Sequence, residues 1–256
     1  MAFNGKVALI TGGGSGMGQK AALMLAEQGA KVAIFDVNEA GMEETTASNS
    51  NIKSYRVDIS DTEAVQAAVA QVESELGPID RVANAAAIMP FGKLLEQDPK
   101  VQIKLMEINY NGLVNIATAT VPGMVERGSG DFISFSSMSG IIPGLLMGGY
   151  CATKAAVSMY TEILYHENLN SGVRFVCVCP PPVATPLWKQ AKDTVVPKVT
   201  QVDVVLTPEE VINHVEASLE KGEFLSFPGK GTKIGYRVRN WMPSRIWDHN
   251  HKVEGF

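Results

Sequence analysis

Short apolar runs alternate with longer amphipathic stretches along the whole chain. KVALI at 6–10, KVAIF at 31–35, IKSYRV at 52–57, IDRVA at 79–83, DFISF at 131–135 and VRFVCV at 173–178 read as strands, with FLSF at 224–227 as a seventh. Between them, residues 17–28, 61–76, 99–127 and 149–169 carry the spacing of amphipathic helices. Regular alternation predicts an α/β fold: a doubly wound parallel sheet of about seven strands, right-handed crossovers and helices on both faces. Ligands of such sheets bind beyond the carboxyl ends of the strands. The 256 residues suit one domain of this kind, 1–256, and no internal repeat or low-complexity linker divides them.

Composition narrows the class further. With 45% hydrophobic and 19% charged residues the chain fills a sizeable core and is not a disordered polymer. No apolar run reaches the roughly 20 residues of a membrane-spanning helix. MAFNGKVALITGGG runs straight into a strand without a basic, apolar and cleavable leader, so secretion is not expected. Cys151, Cys177 and Cys179 are odd in number, and the last two would share a strand face, so the expectation is free thiols in a reducing cytoplasm. A net charge of −5 argues against nucleic acid as a partner.

Candidate chemistry begins after the first strand, at TGGGSGMG. Gly12, Gly16 and Gly18 are spaced to turn the backbone tightly, admit a pyrophosphate and pack a helix against the sheet. N–H groups at the helix start, with Ser15 and Met17, then face the phosphates. Asp36, ending KVAIFD, stands where a carboxylate accepts hydrogen bonds from an adenosine ribose and repels a 2′-phosphate. Ser15 and Val37 leave the neighbouring positions without a basic residue, which favours NAD over NADP. A turn-capping aspartate is the other reading of Asp36. Asp58 and Ile59, in RVDIS, are candidate adenine contacts, with a turn-forming role open for Asp58.

Tyr150 and Lys154 lie one helical turn apart in YCATK, and Ser137 is thirteen residues upstream of Tyr150. The i, i+4 spacing puts phenol and ammonium on one helix face. A phenol is a poor base at neutral pH, and a neighbouring cation favours its phenolate. One hydroxyl, one phenol and one ammonium beside a nucleotide loop suit proton exchange with an alcohol.

Together, TGGGSGMG, Asp36, NAAA from Asn84, Asn109 in INYNG, SFSSMSG and YCATK resemble the short-chain dehydrogenase/reductase family over about residues 5–227. The resemblance implies a Rossmann-like sheet and reversible hydride transfer between a nicotinamide and an alcohol or carbonyl. It implies Tyr150 as acid/base, Lys154 as the residue that lowers its pKa and holds the nicotinamide ribose, and Ser137 as the substrate-orienting hydroxyl. Asn109 would support the lysine through a water and complete a proton path. A structural role for Asn109, satisfying backbone groups at a helix irregularity, is the alternative. Asn84, Ala85, Pro180, Val183 and Thr185 would contact the cofactor. Ala85 and Ala87 depart from the family's common NNAG loop, and Pro181 replaces a glycine, fixing φ and removing an N–H.

In GIIPGLLMGG, Ile141, Leu145 and Met147 are the expected walls of an apolar substrate pocket, with Ile142 and Leu146 beside them. Residues 186–206 resemble the family's substrate-covering loop, with Trp188 as a candidate wall. The expected activity is NAD-dependent interconversion of a hydrophobic secondary alcohol and ketone, cyclic or steroid-like. Reduction of a fatty aldehyde or acyl thioester, and a catalytically silent NAD(H)-binding regulatory module, are the competing readings. The family's habit of pairing through the Tyr150 helix and the long helix before it implies a homodimer or homotetramer.

The chain continues past residue 228 with a basic, aromatic tail of six Lys/Arg and two Asp/Glu, a net +4 against −9 for the remainder. Such a segment suits peripheral contact with a membrane surface, a phosphate-bearing substrate, or the acidic body of another subunit. His249 and His251, at i, i+2, share no helix face, so they are expected to be surface residues and no metal site is assigned. His166 and His214 have no nucleophile partner, and no hydrolase triad follows.

Overall fold

All seven strands of the computed structural model run parallel in a single sheet, in the order β3-β2-β1-β4-β5-β6-β7. The structure describes residues 3, 5–192, 195–201 and 205–256. The strands are β1 (Val7–Thr11), β2 (Lys31–Asp36), β3 (Ile52–Arg56), β4 (Arg81–Asn84), β5 (Gly130–Phe135), β6 (Val173–Val178) and β7 (Leu225–Ser226). The helices are α1 (Gly16–Glu27), α2 (Glu39–Ser48), α3 (Thr62–Leu76), α4 (Pro99–Met106), α5 (Gly112–Arg127), α6 (Gly148–Glu167), α7 (Pro186–Lys192), α8 (Pro208–Lys221), α9 (Thr232–Trp241) and α10 (Pro243–Glu254). The single amphipathic stretch expected at 99–127 is α4 and α5 joined by a π-turn at Glu107–Asn111.

Period-two alternation sorts the sheet's side chains into two cores. Ala8 and Ile10 face α1 and α8, where they pack with Leu25, Val211 and Val215; Val7 and Leu9 face α3 and α5, where they meet Val65, Val72, Leu113 and Ile116. Strands covered on both sides read as unbroken apolar runs, which is why VALIT is buried at every position. Arg81 is the largest fully buried side chain, bonded to Asp131 through Nε and Nη2 and to Glu216 through Nη1. Removing one partner from a buried charge cluster of this kind costs about 3–5 kcal/mol.

Pairing across the sheet sets Thr11, Asn84, Ser134 and Cys177 in one row. The segments that follow β1, β4, β5 and β6 therefore leave the sheet along the same edge. The strand order reverses direction between β1 and β4, and there a crevice opens.

Candidate functional site

Two cavities occupy that edge, of about 210 Å³ and about 360 Å³. Met17, Ala85, Ala87, Thr185 and Leu187 border both, so the two form one slot. The smaller is lined by Gly12, Ser15, Gly16, Gly18, Asp36, Asp58 and Ile59, among others, and no Lys or Arg among the described residues lines it.

The glycine turn is there for steric reasons. Gly12 has φ +68°, and a Cβ on it would press on the Ala86 backbone at 2.9 Å; a Cβ on Gly18 would collide with the Gly12 carbonyl. Ser15 is the N-cap of α1 without a side-chain capping bond, which leaves the first N–H groups of that helix facing the slot. Asp36 takes N–H bonds from Gly14 at 2.9 Å, Val37 at 2.8 Å and Asn38 at 2.9 Å. The turn-capping reading and the cavity-lining reading of Asp36 hold together, since a carboxylate has about four acceptor sites and three are used. Asp58 accepts from the Ser60 hydroxyl at 2.6 Å and the Ser60 N–H at 2.9 Å, and these bonds hold its carboxyl below the usual range.

Asn84 is placed differently from the expectation. Its Oδ1 accepts from the Thr11 hydroxyl at 2.8 Å, and Thr11 in turn accepts from the Ala86 N–H at 3.1 Å. The amide ties β1 to β4 and lies behind the slot, while Ala85 lines it. Across the slot, Val183 pairs with Leu206 in an isolated bridge held by Ala184 N–H to Leu206 O at 2.8 Å. No partner for the Val183 N–H is found among the described residues. Pro180, Pro181 and Thr185 also line the larger cavity.

Tyr150, Thr153, Lys154, Val157 and Thr161 are the buried stripe of α6. That stripe is bolted to β5 by polar contacts: Ser136 Oγ donates to Lys154 O at 2.8 Å, and Ser134 and Thr161 share a bond of 2.9 Å. Gly140 allows this approach, because a Cβ there would meet the Lys154 carbonyl at 2.6 Å. Ser137, Tyr150 and Lys154 consequently line one cavity, and the Ser137 hydroxyl acts on the Tyr150 phenol as a hydrogen-bonding neighbour that favours its ionised form.

The electrostatics correct one expectation. Burial pushes the Tyr150 phenol well above its ordinary value, with the Ser137 bond pulling weakly the other way. The lysine does not reverse this. Its Nζ donates to Phe135 O at 2.8 Å and lies 5.8 Å from the Tyr150 ring centre. Burial itself draws Lys154 down to about 8, partly offset by Cys177 and Cys179. Tyr150 therefore rests as a phenol in this structure.

Asn109 sits in the π-turn, 1% exposed. Its Oδ1 accepts from Ile88 N–H at 2.9 Å, and its Nδ2 donates to Ile88 O at 3.0 Å and Thr153 Oγ1 at 3.1 Å. The side chain thus holds the segment after β4, and its polar atoms are spent on Ile88 and Thr153.

Of the expected pocket walls, Met147 and Trp188 line the larger cavity, whereas Ile141 and Leu145 do not. Ile141 packs instead against Cys177, Cys179 and Phe227. A 3-10 turn at Met138–Gly140 and a left-handed backbone at Leu146 (φ 65°) redirect the segment, so Ile142, Pro143 and Gly144 face the cavity. Within the covering loop 186–206, residues 193, 194 and 202–204 lie outside the described residues.

The tail is helical. It folds back on its own chain as α9 and α10, and Ile246, His249 and Asn250 border the larger cavity. Asn250 donates to Pro143 O at 2.8 Å, and Glu254 accepts from Val199 N–H at 2.8 Å. His249 and His251 are both exposed, as expected, His249 at the rim of the cavity and His251 stacked on Trp247 at 6.2 Å. Pro243 at the start of α10 signals a helix there, yet nothing local signals where that helix docks.

The profile of the short chain dehydrogenase family matches residues 6–195. The chain belongs to this family of oxidoreductases, whose members use nicotinamide cofactors. It is similar to glycine betaine reductase ATRR of Emericella nidulans, 32% identical over 236 residues, 88% of this chain but 18% of that protein's length. It is also similar to 2,5-dichloro-2,5-cyclohexadiene-1,4-diol dehydrogenase LinX of Sphingobium indicum, 34% identical over 187 residues, 72% of this chain and 75% of LinX. Among solved structures, a short-chain dehydrogenase/reductase from Burkholderia phymatum in complex with NAD superposes with a TM-score of 0.84 at 24% identity, covering 96% of each chain. One from Sphingobium yanoikuyae in complex with NADPH gives 0.81 at 20% identity, covering 95% of each.

Proposed function

We propose that the protein is an NAD-dependent dehydrogenase/reductase that interconverts a hydrophobic, cyclic secondary alcohol and its ketone. The observation that carries this reading is the convergence of Ser137, Tyr150 and Lys154 on one largely apolar cavity that is continuous with the glycine-turn slot. The residues fit a dinucleotide: a glycine cradle that a Cβ would fill, orphan N–H groups at the start of α1, and an unpartnered Val183 N–H. Asp36, with no cation among the described residues lining its cavity, favours an unphosphorylated ribose, hence NAD.

Bound nicotinamide supplies the hydride acceptor for oxidation and the donor for reduction. Ser137 orients the alcohol oxygen through its hydroxyl. Tyr150 takes the alcohol proton in oxidation and returns it in reduction. Lys154, held at Phe135 O, supplies positive charge beside the ring and a donor for the nicotinamide ribose. Asn109 sets the segment from which Ile88 and Met89 rise. The apolar lining, including Met89, Met147, Leu187 and Trp188, excludes water and selects a hydrophobic body. A cyclic substrate is favoured by the relative named for a cyclohexadiene diol.

The test is an activity screen by NADH absorbance against apolar cyclic alcohols and ketones, with NADP as control. NAD-linked turnover is expected. NAD binding without exchange on any member of the panel would leave the silent-module reading instead.

Exposed Ile103, Met159 and Ile163 on α4 and α6 support assembly as a homodimer or homotetramer through that face. On the tail, exposed Ile234 and Trp241 among Lys and Arg residues support peripheral contact with an anionic membrane. Free Cys151, Cys177 and Cys179 support residence in a reducing cytoplasm.

A further inference from the structure

The last helix brings to the cavity a polar atom that the proposed reaction does not use. Asn250 is 4% exposed and borders the cavity beside Ile246 and His249. Its amide bond to Pro143 fixes the orientation of the side chain, because a carbonyl oxygen only accepts: Nδ2 faces Pro143 and Oδ1 faces away. Oδ1 has no partner among the described residues. It is not sealed in either, since every fully enclosed side-chain nitrogen or oxygen among them has a partner. An unpartnered amide oxygen on a residue bordering a mostly apolar cavity disfavours an apolar neighbour and rewards a donor.

The nature of that donor follows from the rest of the lining. Among the described residues no Asp or Glu lines the cavity, and Lys154 does. An ammonium placed there would be a second cation without a counter-charge among the described residues, so the matching group is a neutral donor, of which a hydroxyl is the one an alcohol or ketone substrate carries. Asn250 stands on α10, whereas Ser137 follows β5 and Tyr150 lies on α6, so the hydroxyl that meets Asn250 is not the one that reacts.

We propose that Asn250 is a specificity residue whose Oδ1 accepts a hydrogen bond from a second hydroxyl of the substrate, making the preferred substrate class hydroxylated cyclic ketones and the corresponding diols. The assignment rests on the reading of this cavity as the substrate site. The hydroxyl donates to Asn250 while the carbonyl oxygen of the same molecule is held by Ser137 and Tyr150. Pro143 and α10 keep the acceptor in place through the amide's other end.

The experiment uses the full chain with a monocyclic and a bicyclic ketone, each with and without a hydroxyl on the carbon farthest from the carbonyl. Both kcat/KM and ligand binding by calorimetry in the presence of NADH are measured, for wild type and Asn250→Ala. Wild type is expected to prefer a hydroxylated partner by about tenfold or more in both readouts. In Asn250→Ala that preference falls towards unity, with turnover of the plain ketone largely retained. Asn250→Leu, close to asparagine in volume but without donor or acceptor, carries the same readout if the alanine variant does not fold. No preference in wild type for either pair, or an equal loss on hydroxylated and plain ketones in the variants, overturns the proposal. Discrimination in binding without turnover of any ketone would instead overturn the proposed reaction and leave the Asn250 assignment standing.

Discussion

Lys154 lies against the face of the Tyr150 ring, its Nζ 5.8 Å from the ring centre, with its hydrogen bond given to a main-chain carbonyl. The pair shares a helix face, as i, i+4 residues do. Both are buried, so the cation is costly and the phenol stays protonated.

Tyr150→Phe removes the proton-exchanging oxygen but keeps the ring that packs edge-on against Phe91 at 6.3 Å. Turnover is expected to fall by about a hundredfold to ten-thousandfold with NAD affinity largely unchanged. Steady-state kinetics and NADH fluorescence titration check both; near-normal turnover would remove Tyr150 from its role.

The lowered Lys154 pKa gives a signed dependence of stability on pH. Its folded value of about 8 lies below the ordinary lysine value of 10.5, so the unfolded chain binds more protons between them. The buried ammonium destabilises the cofactor-free protein below about pH 8, and this penalty is relieved as the pH rises towards 10. Relative to Lys154→Met, wild type should gain about 2 kcal/mol between pH 8 and 10 in denaturant unfolding. A difference that stays flat across that range would contradict it. Tyr150 acts in the opposite sense only above its unfolded value near pH 10.

Asp36→Ala removes a carboxylate that both clips the glycine turn through Gly14 and faces the smaller cavity. NAD affinity should drop by about tenfold or more, and the NAD-to-NADP ratio of kcat/KM should move towards NADP. An unchanged ratio would mean that Asp36 only holds the turn.

Met159→Glu with Ile163→Glu puts two charges on the exposed apolar face of α6, away from the buried Tyr150 stripe. Sedimentation velocity should shift from an oligomer to a monomer. A wild type that already sediments as a monomer would rule out assembly through this helix.

The tail is tested with vesicles containing anionic lipid. Trp241, 85% exposed, and Ile234 stand on α9 among Lys233, Arg237 and Arg239. Replacing both with Ser should reduce co-sedimentation and leave turnover in solution unchanged; equal partitioning of the two proteins would exclude a lipid contact through this face.

Much of the architecture is legible because its causes are local. Each apolar run became a strand within one or two residues at most ends, and YCATK, on an α6 stripe read by helical spacing, delivered Tyr150 and Lys154 to one cavity. The helix that carries His214, α8, also has its own signal, a capping box from Thr207 to Glu210 with Pro208 at its first position. The π-turn that carries Asn109 has no such signature.

Local period, turn chemistry and capping are properties of neighbouring residues, so strand order along the chain, the glycine turn and the helix that carries Tyr150 and Lys154 were determined by the sequence alone. Which of Ile141, Ile142 and Leu145 faces the cavity depended on a backbone reversal at Leu146. The direction of the Tyr150 pKa depended on burial rather than on its neighbour's charge. The closing of the pocket by α10 rests on contacts such as Asn250 with Pro143, 107 residues apart. Desolvation and long-range contact exist only once the chain has folded, and the tertiary structure decided them.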